Sequence, residues 1–240
     1  IMKEKQIITS FSDLRNKPES KSFLETQCLF GENVSVLMTK KDWSFVECQL
    51  DGYKGWIKNN TLGKTFKNNF ILNSLSAKVL ESPNLNSKVI FNIHMGSKLL
   101  LDEFNSDWFA IKINETKIGY ILKSNFFLKY NERNVNWEDT IKCFIETPYK
   151  LGGKTSFGID CSGLVQIVLE TLNIFIPRNT IDQVTFLSNN IIDTKNITKG
   201  CLIYWPGHVA ITLSDKKIIH SNSYHKQVTI ETFEKVNKRI

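Results

Sequence analysis

The sequence predicts an α+β protein in which two small β-barrels precede a mixed domain. This prediction depends on two observations: the first half of the chain repeats itself, and the second half places helical patterns before strand patterns. A length of 240 residues suits two or three compact units. We predict these units at residues 1–66, 67–130 and 131–240.

The repeat becomes visible when the chain is shifted by 65 residues, because Gly31 then falls on Gly96 and Trp43 falls on Trp108. Each copy predicts short alternating strands separated by turns rich in Asn, Asp, Ser and Gly. The two copies resemble the bacterial SH3 domain, and each is therefore expected to be an SH3-like barrel. The predicted strands are 33–38, 45–50 and 55–57 in the first copy and 98–102, 108–113 and 117–121 in the second.

From residue 131 the pattern changes to helices followed by strands. Asn136 can cap a helix that has Glu138 and Asp139 in its first turn and that Pro148 ends. A glycine-rich loop over 151–158 precedes a second helix over 161–172 and a short one over 181–187. Four apolar runs then predict an antiparallel meander, at 202–205, 209–213, 217–220 and 227–230.

The charge of the chain argues against a nucleic-acid partner. The formal net charge is +7, but the basic residues are spread evenly, with 17 against 13 acidic residues up to residue 128 and 14 against 11 afterwards. Nucleic-acid-binding surfaces usually show a cluster rich in arginine. Arginine stands only at positions 15, 133, 178 and 239. No run of 18 apolar residues exists, so we also predict no membrane span.

The five cysteines contain no Cys-x-x-Cys pair, which argues against a zinc site and against a disulfide framework. We expect them to be reduced and no metal or cofactor to be bound. The first 14 residues lack the apolar segment of a secretory signal, so we expect a cytoplasmic protein.

Cys161 stands apart from the other cysteines because it follows Asp160 at the predicted start of a helix. Unpaired amides and the positive end of a helix favour an anion there. We therefore expect a thiol with a lowered pKa, largely thiolate at neutral pH, and amides that can hold an oxyanion. The other four cysteines are expected to be small core residues.

Two of the four histidines are predicted to meet on one hairpin. If 214–216 form its turn, Ala210 pairs with His220, and His208 shares a face with Ala210. The two histidines then become diagonal neighbours, so that one imidazole can act as a base for a thiol and the other can orient it. Two histidines on a hairpin can equally be a structural coincidence, and a register slip of one residue would separate them.

Five segments in this order resemble the NlpC/P60 family of cell-wall peptidases. The resemblance implies a papain-like fold, with Cys161 as nucleophile, His208 as general base, His220 as its orienting partner and Tyr149 as a hydrogen-bond donor to oxyanion or substrate. It also places Ser162 and Thr180 in the substrate site, although Ser is common in the family at position 180. The family usually has Gly-Asp-Leu where this chain has Gly-Cys-Leu at 200–202. The five segments are 149–153, 160–164, 177–183, 207–211 and 219–220.

Two SH3-like copies before such a domain look like one subgroup, the γ-D-glutamyl-L-diamino acid endopeptidases that trim short murein peptides during recycling. That resemblance implies cleavage before meso-diaminopimelate or lysine by a monomer. It also implies that Glu32, Tyr53 and Asp160 hold the free amino terminus of L-Ala. Two alternatives remain: an endopeptidase or amidase on intact wall with the SH3 copies as binding modules, and a non-catalytic wall-binding scaffold.

Overall fold

The computed structural model describes residues 3–125 and 136–240. The chain divides into two compact units, residues 1–135 and 136–240. The predicted boundary after residue 66 falls inside the first unit and stays a prediction, and the one after residue 130 lies outside the described residues. No helix among the described residues is long and apolar enough to cross a membrane.

The first unit is built from antiparallel strands. Its strands are β1 (Lys3–Ile7), β2 (Phe11–Arg15), β3 (Leu24–Leu29), β4 (Asn33–Lys40), β5 (Trp43–Cys48), β6 (Lys54–Lys58), β7 (Leu62–Gly63), β8 (Phe70–Ile71), β9 (Ser76–Leu80), β10 (Val89–His94), β11 (Lys98–Leu99), β12 (Leu101–Glu103), β13 (Trp108–Lys112) and β14 (Ile118–Leu122). They form a seven-stranded sheet in the order β3-β2-β6-β5-β4-β1-β7, a five-stranded sheet in the order β10-β9-β14-β13-β12, and the pair β11-β8. Single helical turns lie at Asn59–Thr61 and Lys123–Asn125.

Each of the two larger sheets encloses its own apolar core. The first core contains Ile7, Leu14, Cys28, Val34, Val46, Cys48 and Ile57, and the second contains Phe30, Leu72, Val79, Ile93, Leu99, Ile111 and Ile121. Inward and outward residues alternate along β2 and β5, as expected for strands with one buried face. In the first core the sulfur atoms of Cys28 and Cys48 lie 3.4 Å apart.

The repeated glycines occupy the same turn in both copies. Gly31 and Gly96 have φ angles of +77° and +90°, a backbone region that glycine enters without a steric penalty. The N–H of Gly31 donates to the carbonyl of Ile7, and that of Gly96 to the carbonyl of Leu72, both at 2.9 Å. The sequence repeat therefore records a turn that each sheet requires.

The sequence pattern did not predict several strands of the first unit. Strand β1 reads Lys-Glu-Lys-Gln-Ile, which lacks apolar alternation, yet it lies inside the sheet between β4 and β7. Its burial comes from tertiary pairing, which overrides a weak local preference. The predicted strand 98–102 is interrupted at Leu100 and splits into β11 and β12.

The second unit follows the predicted order of helices before strands. It contains α1 (Trp137–Lys142), β15 (Lys154–Thr155), β16 (Gly158–Ile159), α2 (Cys161–Thr171), α3 (Thr180–Phe186), β17 (Leu202–Trp205), β18 (His208–Thr212), β19 (Lys217–Asn222), β20 (Gln227–Thr232) and α4 (Phe233–Arg239), with single helical turns at Ser188–Asn190 and Thr194–Asn196. Strands β17 to β20 form an antiparallel meander in chain order, and β15 pairs with β16. The predicted meander is confirmed.

One helix of this unit is shorter than predicted, and another was not predicted. Asn136 does cap α1, its side chain accepting from the N–H of Glu138 at 3.0 Å, but the helix ends at Lys142 rather than near Pro148. Glu146 has a φ angle of +68°, so the backbone has left the helical region before the proline. Helix α4 was not predicted, and it follows β20 directly.

Candidate active site

The start of α2 carries Cys161, which is 7% exposed. Asp160 caps the helix, because its side chain accepts from the N–H of Gly163 at 2.8 Å. The backbone N–H groups of Ser162 and Val209 lie beside the thiol of Cys161 and act to lower its pKa. Because Val209 belongs to β18, the meander lies against the nucleophile at the residue that follows His208.

Burial reverses the expected ionisation of this thiol. Desolvation, followed by the negative charge of Asp160, raises the pKa of Cys161 to about 11, although the N–H groups of Val209 and Ser162 and the charge of Arg178 act in the opposite direction. The prediction of a largely ionised thiolate at neutral pH is therefore wrong. Cys161 is a neutral thiol in the resting protein, and a base must remove its proton during the reaction.

A buried ion pair fixes the loop before the nucleophile. Asp160 Oδ1 accepts from Arg178 Nη1 at 2.9 Å, and Oδ2 accepts from Arg178 Nη2 and from the N–H of Gly152, both at 2.8 Å. Both residues are almost fully buried. Oδ1 also accepts from the N–H of Gly163 and, at 3.4 Å, from the hydroxyl of Ser162, so the carboxylate accepts five hydrogen bonds from within this unit. Asp160 thus holds the loop, and its predicted contact with a substrate amine stays a prediction.

Gly163 is required by the closeness of this ion pair. A Cβ at position 163 would lie 2.8 Å from the carbonyl oxygen of Gly153 and 3.0 Å from Asp160 Oδ1, both closer than ordinary contacts. Any side chain there would push the loop away from α2. The glycine of the Asp-Cys-Ser-Gly segment therefore has a packing function.

Of the predicted substrate-site residues in this unit, Ser162 contacts Gln183, and Thr180 belongs to the same helix as Gln183. Ser162 Oγ accepts from Arg178 Nη1 at 2.9 Å, and the Ser162 carbonyl accepts from Gln183 Nε2 at 3.2 Å. Gln183 is fully buried on α3, the helix that begins at Thr180. Thr180 itself is half-buried, on the same helix as Gln183.

The two histidines meet as the hairpin register predicts. Strand β18 pairs Ile211 with Ile219 and Thr212 with Ile218 on β19, the register expected from a turn at 214–216. His208 Nε2 and His220 Nδ1 lie 2.7 Å apart. The other nitrogen of His220, Nε2, lies 2.8 Å from Glu231 Oε2. The structure therefore joins His208, His220 and Glu231 in one hydrogen-bonded line.

Both histidines are neutral at pH 7. Desolvation, with a smaller contribution from His220, lowers the pKa of His208 to about 4. Burial also lowers the pKa of His220, although its hydrogen bond to Glu231 acts in the opposite direction. Hydrogen bonds from Arg239 lower the pKa of Glu231 to about 2, so this carboxyl is ionised. The site holds a neutral thiol and a neutral imidazole, which suits transfer of a proton from sulfur to nitrogen during attack.

Two tyrosines lie close enough to Cys161 for this residue to raise their pKa values. Burial, and then Cys161 and Asp160, raise the pKa of Tyr149, so its hydroxyl is a neutral donor. Burial and Cys161 also raise the pKa of Tyr204, whose hydroxyl donates to Gln183 Oε1 at 3.1 Å. Tyr149 was predicted for the site, whereas Tyr204 was not.

Glu32 and Tyr53 belong to the first unit and have partners there. Glu32 is 5% exposed, and its Oε2 accepts from the N–H of Leu29 at 3.1 Å, so it is a buried turn carboxylate. The Tyr53 hydroxyl donates to Glu25 Oε2 at 2.7 Å. Their predicted contact with a substrate amine stays a prediction.

The departure at Cys201 has a local explanation. The sulfur of Cys201 accepts from the N–H of Thr198 at 3.4 Å, and Thr212 Oγ1 accepts from the N–H of Cys201 at 2.8 Å. The thiol thus serves as a weak acceptor in the turn before β17. These contacts involve Thr198 and Thr212 and none of the predicted catalytic residues.

Sequence reasoning missed Arg178 and Glu231. Arg178 lies within one of the five family-like segments, but no function was predicted for it. The signal that could have found it is the rarity of arginine, which occurs at four positions of the chain. Glu231 follows from the diagonal rule only once the structure has given the register of the next hairpin, in which His220 pairs with Thr229 on β20. Within residues 3–125 and 136–240, no group of three His, Cys, Asp or Glu side chains could hold a metal ion.

Comparison with known proteins agrees with this geometry. Residues 146–238 match the NlpC/P60 family, and residues 14–62 match the bacterial dipeptidyl-peptidase Sh3 domain. The second unit is an NlpC/P60 domain. The chain thus holds an NlpC/P60 domain, the domain of a cysteine peptidase family, with a bacterial SH3 domain before it, and the predicted fold class is confirmed.

Relatives that match along nearly the whole chain carry related names. It is 25% identical to "Dipeptidyl-peptidase 6" of Lysinibacillus sphaericus, over 95% of this chain and 91% of that protein. It is 26% identical to "Gamma-D-glutamyl-L-lysine dipeptidyl-peptidase" of Bacillus cereus, over 86% of this chain and 70% of the relative. A crystal structure of an NlpC/P60 family protein from Bacillus cereus covers 96% of this chain and 94% of its own, with a TM-score of 0.81 and 22% identity.

Proposed function

We propose that this peptidase cleaves the γ-D-glutamyl-L-diamino acid bond of short murein peptides that begin with L-Ala, with meso-diaminopimelate or lysine after the cleaved bond. The observation that carries the proposal is the hydrogen bond of 2.7 Å between His208 Nε2 and His220 Nδ1. Val209, the residue after His208, lies beside the thiol of Cys161 and acts on its pKa. The name of the Bacillus cereus relative supports this class of bond.

The first half of the reaction forms a thioester. As Sγ of Cys161 attacks the γ-carbonyl carbon of D-glutamate, its proton passes to Nδ1 of His208, the ring nitrogen not used in the bond to His220. The carbonyl oxygen gains negative charge, for which Tyr149 and the amides at the start of α2 are the proposed donors. When the C–N bond breaks, His208 returns the proton to the nitrogen of the leaving diamino acid.

The second half releases the dipeptide. Water gives a proton to Nδ1 of His208 and attacks the thioester carbon, and the C–S bond then breaks. The sulfur of Cys161 takes the proton back from His208. The products are L-Ala-γ-D-Glu with a free γ-carboxylate and the diamino acid, and the peptidase returns to its neutral resting pair.

We further propose that the reaction belongs to the recycling of wall peptides in the cytoplasm and that the protein acts as a monomer. The main test offers the protein L-Ala-γ-D-Glu-meso-diaminopimelate, the lysine analogue, the same peptides with an acetylated amine, and intact wall. We expect release of L-Ala-γ-D-Glu from the free peptides only, as measured by mass spectrometry.

A charge-assisted hydrogen bond to the free amine contributes about 1.5 to 3 kcal/mol, so acetylation should lower kcat/KM by roughly 10 to 150-fold. Equal cleavage of free and acetylated peptides would contradict the requirement for a free amine. Cleavage of intact wall at a comparable rate would favour the wall-acting endopeptidase instead. No cleavage of any of these substrates by folded protein would favour the scaffold.

A further inference from the structure

We propose that Glu231 is a positioning residue for the catalytic base, and that Arg239 of α4 holds it in place. The proposal builds on the functions proposed above for Cys161 and His208, and it adds two residues beyond the pair of histidines. Glu231 contacts His220 rather than Nδ1 of His208, the nitrogen that takes the proton of Cys161. It therefore acts through His220.

The contacts of Glu231 fix its carboxylate in a single orientation. Arg239 Nη1 donates to Oε1 at 2.9 Å and Nη2 donates to Oε2 at 2.7 Å, a bidentate pair. Oε2 also accepts from His220 Nε2 at 2.8 Å, and His225 Nε2 lies 3.1 Å from Oε1. The ring of Tyr224 lies 4.2 Å from the guanidinium of Arg239. With its side chain 10% exposed, Glu231 can bond to His220 with little competition from water.

The backbone register explains why these side chains meet. His220 pairs with Thr229 across β19 and β20, and Glu231 lies two residues further along β20 on the same face. His208 reaches His220 from the opposite neighbouring strand by the same diagonal step. His220 is therefore held from both sides, by an imidazole on β18 and by a carboxylate on β20.

The carboxylate decides which nitrogen carries each proton. An ionised carboxylate can only accept, so Nε2 of His220 must carry a proton. In a neutral His220, Nδ1 is then bare and must accept from Nε2–H of His208. A neutral His208 is thereby left with a bare Nδ1, the only form that can take the proton of Cys161. Glu231 thus selects the tautomer of the base across two hydrogen bonds.

The charges of Glu231 and Arg239 act in opposite directions on the base. The carboxylate of Glu231 raises the pKa values of His208 and His220, and Arg239 lowers both. His225 also lowers the pKa of His220, and burial lowers the pKa of both His208 and His220. Glu231 therefore favours the imidazolium that forms when the thiol attacks, while Arg239 keeps the carboxylate in place.

The test compares Glu231→Gln with Arg239→Gln by ¹⁵N NMR of the imidazole nitrogens in the full chain. In the unchanged protein we expect protons on Nε2 of both histidines. A glutamine amide at position 231 can donate to Nε2 of His220 and so reverse the tautomers. We expect this reversal in part of the population, a lower pKa for His208 and a kcat at least about tenfold lower with KM little changed. Arg239→Gln should raise the pKa of His208.

Glu234→Gln is the matched control, because Glu234 belongs to α4, is exposed and pairs with Lys238 at 2.6 Å. It should change neither the tautomers nor kcat. Glu231→Asp, which keeps the charge, should retain the Nε2 tautomers and part of the kcat even if Glu231→Gln folds poorly. Unchanged tautomers and kcat in folded Glu231→Gln would overturn the proposal, as would pKa changes of the same sign in both variants. The NMR readout needs no substrate, so an error in the proposed substrate or nucleophile leaves this test valid.

Discussion

Both units of the molecule bury cysteine and histidine, yet only one of them arranges these residues for chemistry. In the first unit Cys28, Cys48 and His94 are almost fully buried, as Cys161 and His220 are in the second. Burial lowers the pKa of His94 to about 4, the same value as for His208. Desolvation thus produces the same shift in a barrel core and beside a nucleophile.

The difference lies in the partners of these groups. The thiols of Cys28 and Cys48 face each other, and this contact raises the pKa of Cys48 well above its usual range. His94 Nε2 lies 3.3 Å from the hydroxyl of Ser10. In the second unit the histidine line ends in an ionised carboxylate, which determines where each proton lies. Residue type and burial are common to both units, so neither identifies a catalytic site. What distinguishes the second unit is the ionised carboxylate at the end of its line of hydrogen-bonded histidines.

The largest expected contrast is between cysteines. Cys161→Ala should abolish hydrolysis, with a loss on the order of a thousandfold or more, because the attacking atom is gone. Cys28→Ala and Cys48→Ala should keep kcat/KM within a few-fold and lower only stability, because these thiols fill a core. Peptide cleavage by variants of matched folding measures this contrast. Substantial activity in Cys161→Ala would show that another group is the nucleophile.

The resting protonation of the thiol offers a second contrast. With a pKa of about 11, Cys161 should react with iodoacetamide about tenfold faster for each pH unit between 7 and 10, because only the thiolate attacks. Labelling followed by mass spectrometry assigns the rate to this residue, with Cys161→Ala as the blank. A rate that levels off near pH 7 would mean that Cys161 and His208 already form an ion pair at rest.

The Arg–Asp ion pairs of the two units should differ in their contribution to the free energy of unfolding. Arg178→Gln leaves Asp160 buried without its counter-ion, so the free energy of unfolding should fall by about 3 to 5 kcal/mol. Arg15→Gln breaks a partly exposed pair with Asp13 and should cost about 1 kcal/mol or less. Urea unfolding of both variants measures the difference. Equal losses would mean that the clamp around Asp160 adds no stability.

Acid should weaken both units through their histidines. The pKa values of His94 and His208 lie below the usual 6.5, so their contribution to stability is present above pH 6.5 and is lost as the pH falls towards about 4. Thermal melting between pH 7 and pH 4 should show this loss. In His94→Gln the part due to the first unit should disappear while the part due to the second unit remains. An unchanged pH dependence in that variant would assign the whole loss to other groups.

The smallest expected effect concerns Cys201. In Cys201→Asp, a carboxylate replaces a weak sulfur acceptor for the N–H of Thr198, so we expect a gain of about 1 kcal/mol. The melting temperature of the variant should rise by a few degrees, with kcat unchanged. A lower melting temperature would show that the thiol packs better than a carboxylate at this turn.

The histidine pair was predictable because local chemistry sets its register. The hydroxyl of Ser214 accepts from the N–H groups of Lys216 and Lys217, so the turn at 214–216 is stabilised by its own residues. A known turn fixes the pairing of β18 with β19 and hence the meeting of His208 and His220. The helix that begins at Cys161 was predictable for the same reason, since Asp160 is its cap.

Glu231 and the ionisation of Cys161 were harder to predict. The turn between β19 and β20 contains Lys226 at a φ of +59°, and lysine gives no turn signal, so the register of this hairpin is hidden in the sequence. The pKa of the thiol depends on desolvation, which packing of α2 against the meander produces. The helix end favours the thiolate, but burial has the larger effect.

The residues that activate the thiol also follow one another along the chain. Their order runs from Cys161 itself through His208 and His220 to Glu231 and Arg239, so each is synthesised before the residue that controls it. A ribosome completes the nucleophile first and its base later, and the guanidinium that steadies the carboxylate last. A nascent chain halted before β18 contains Cys161 and lacks the histidines proposed to activate it. Synthesis itself thus delays the reactive state until the meander and its final helix have emerged.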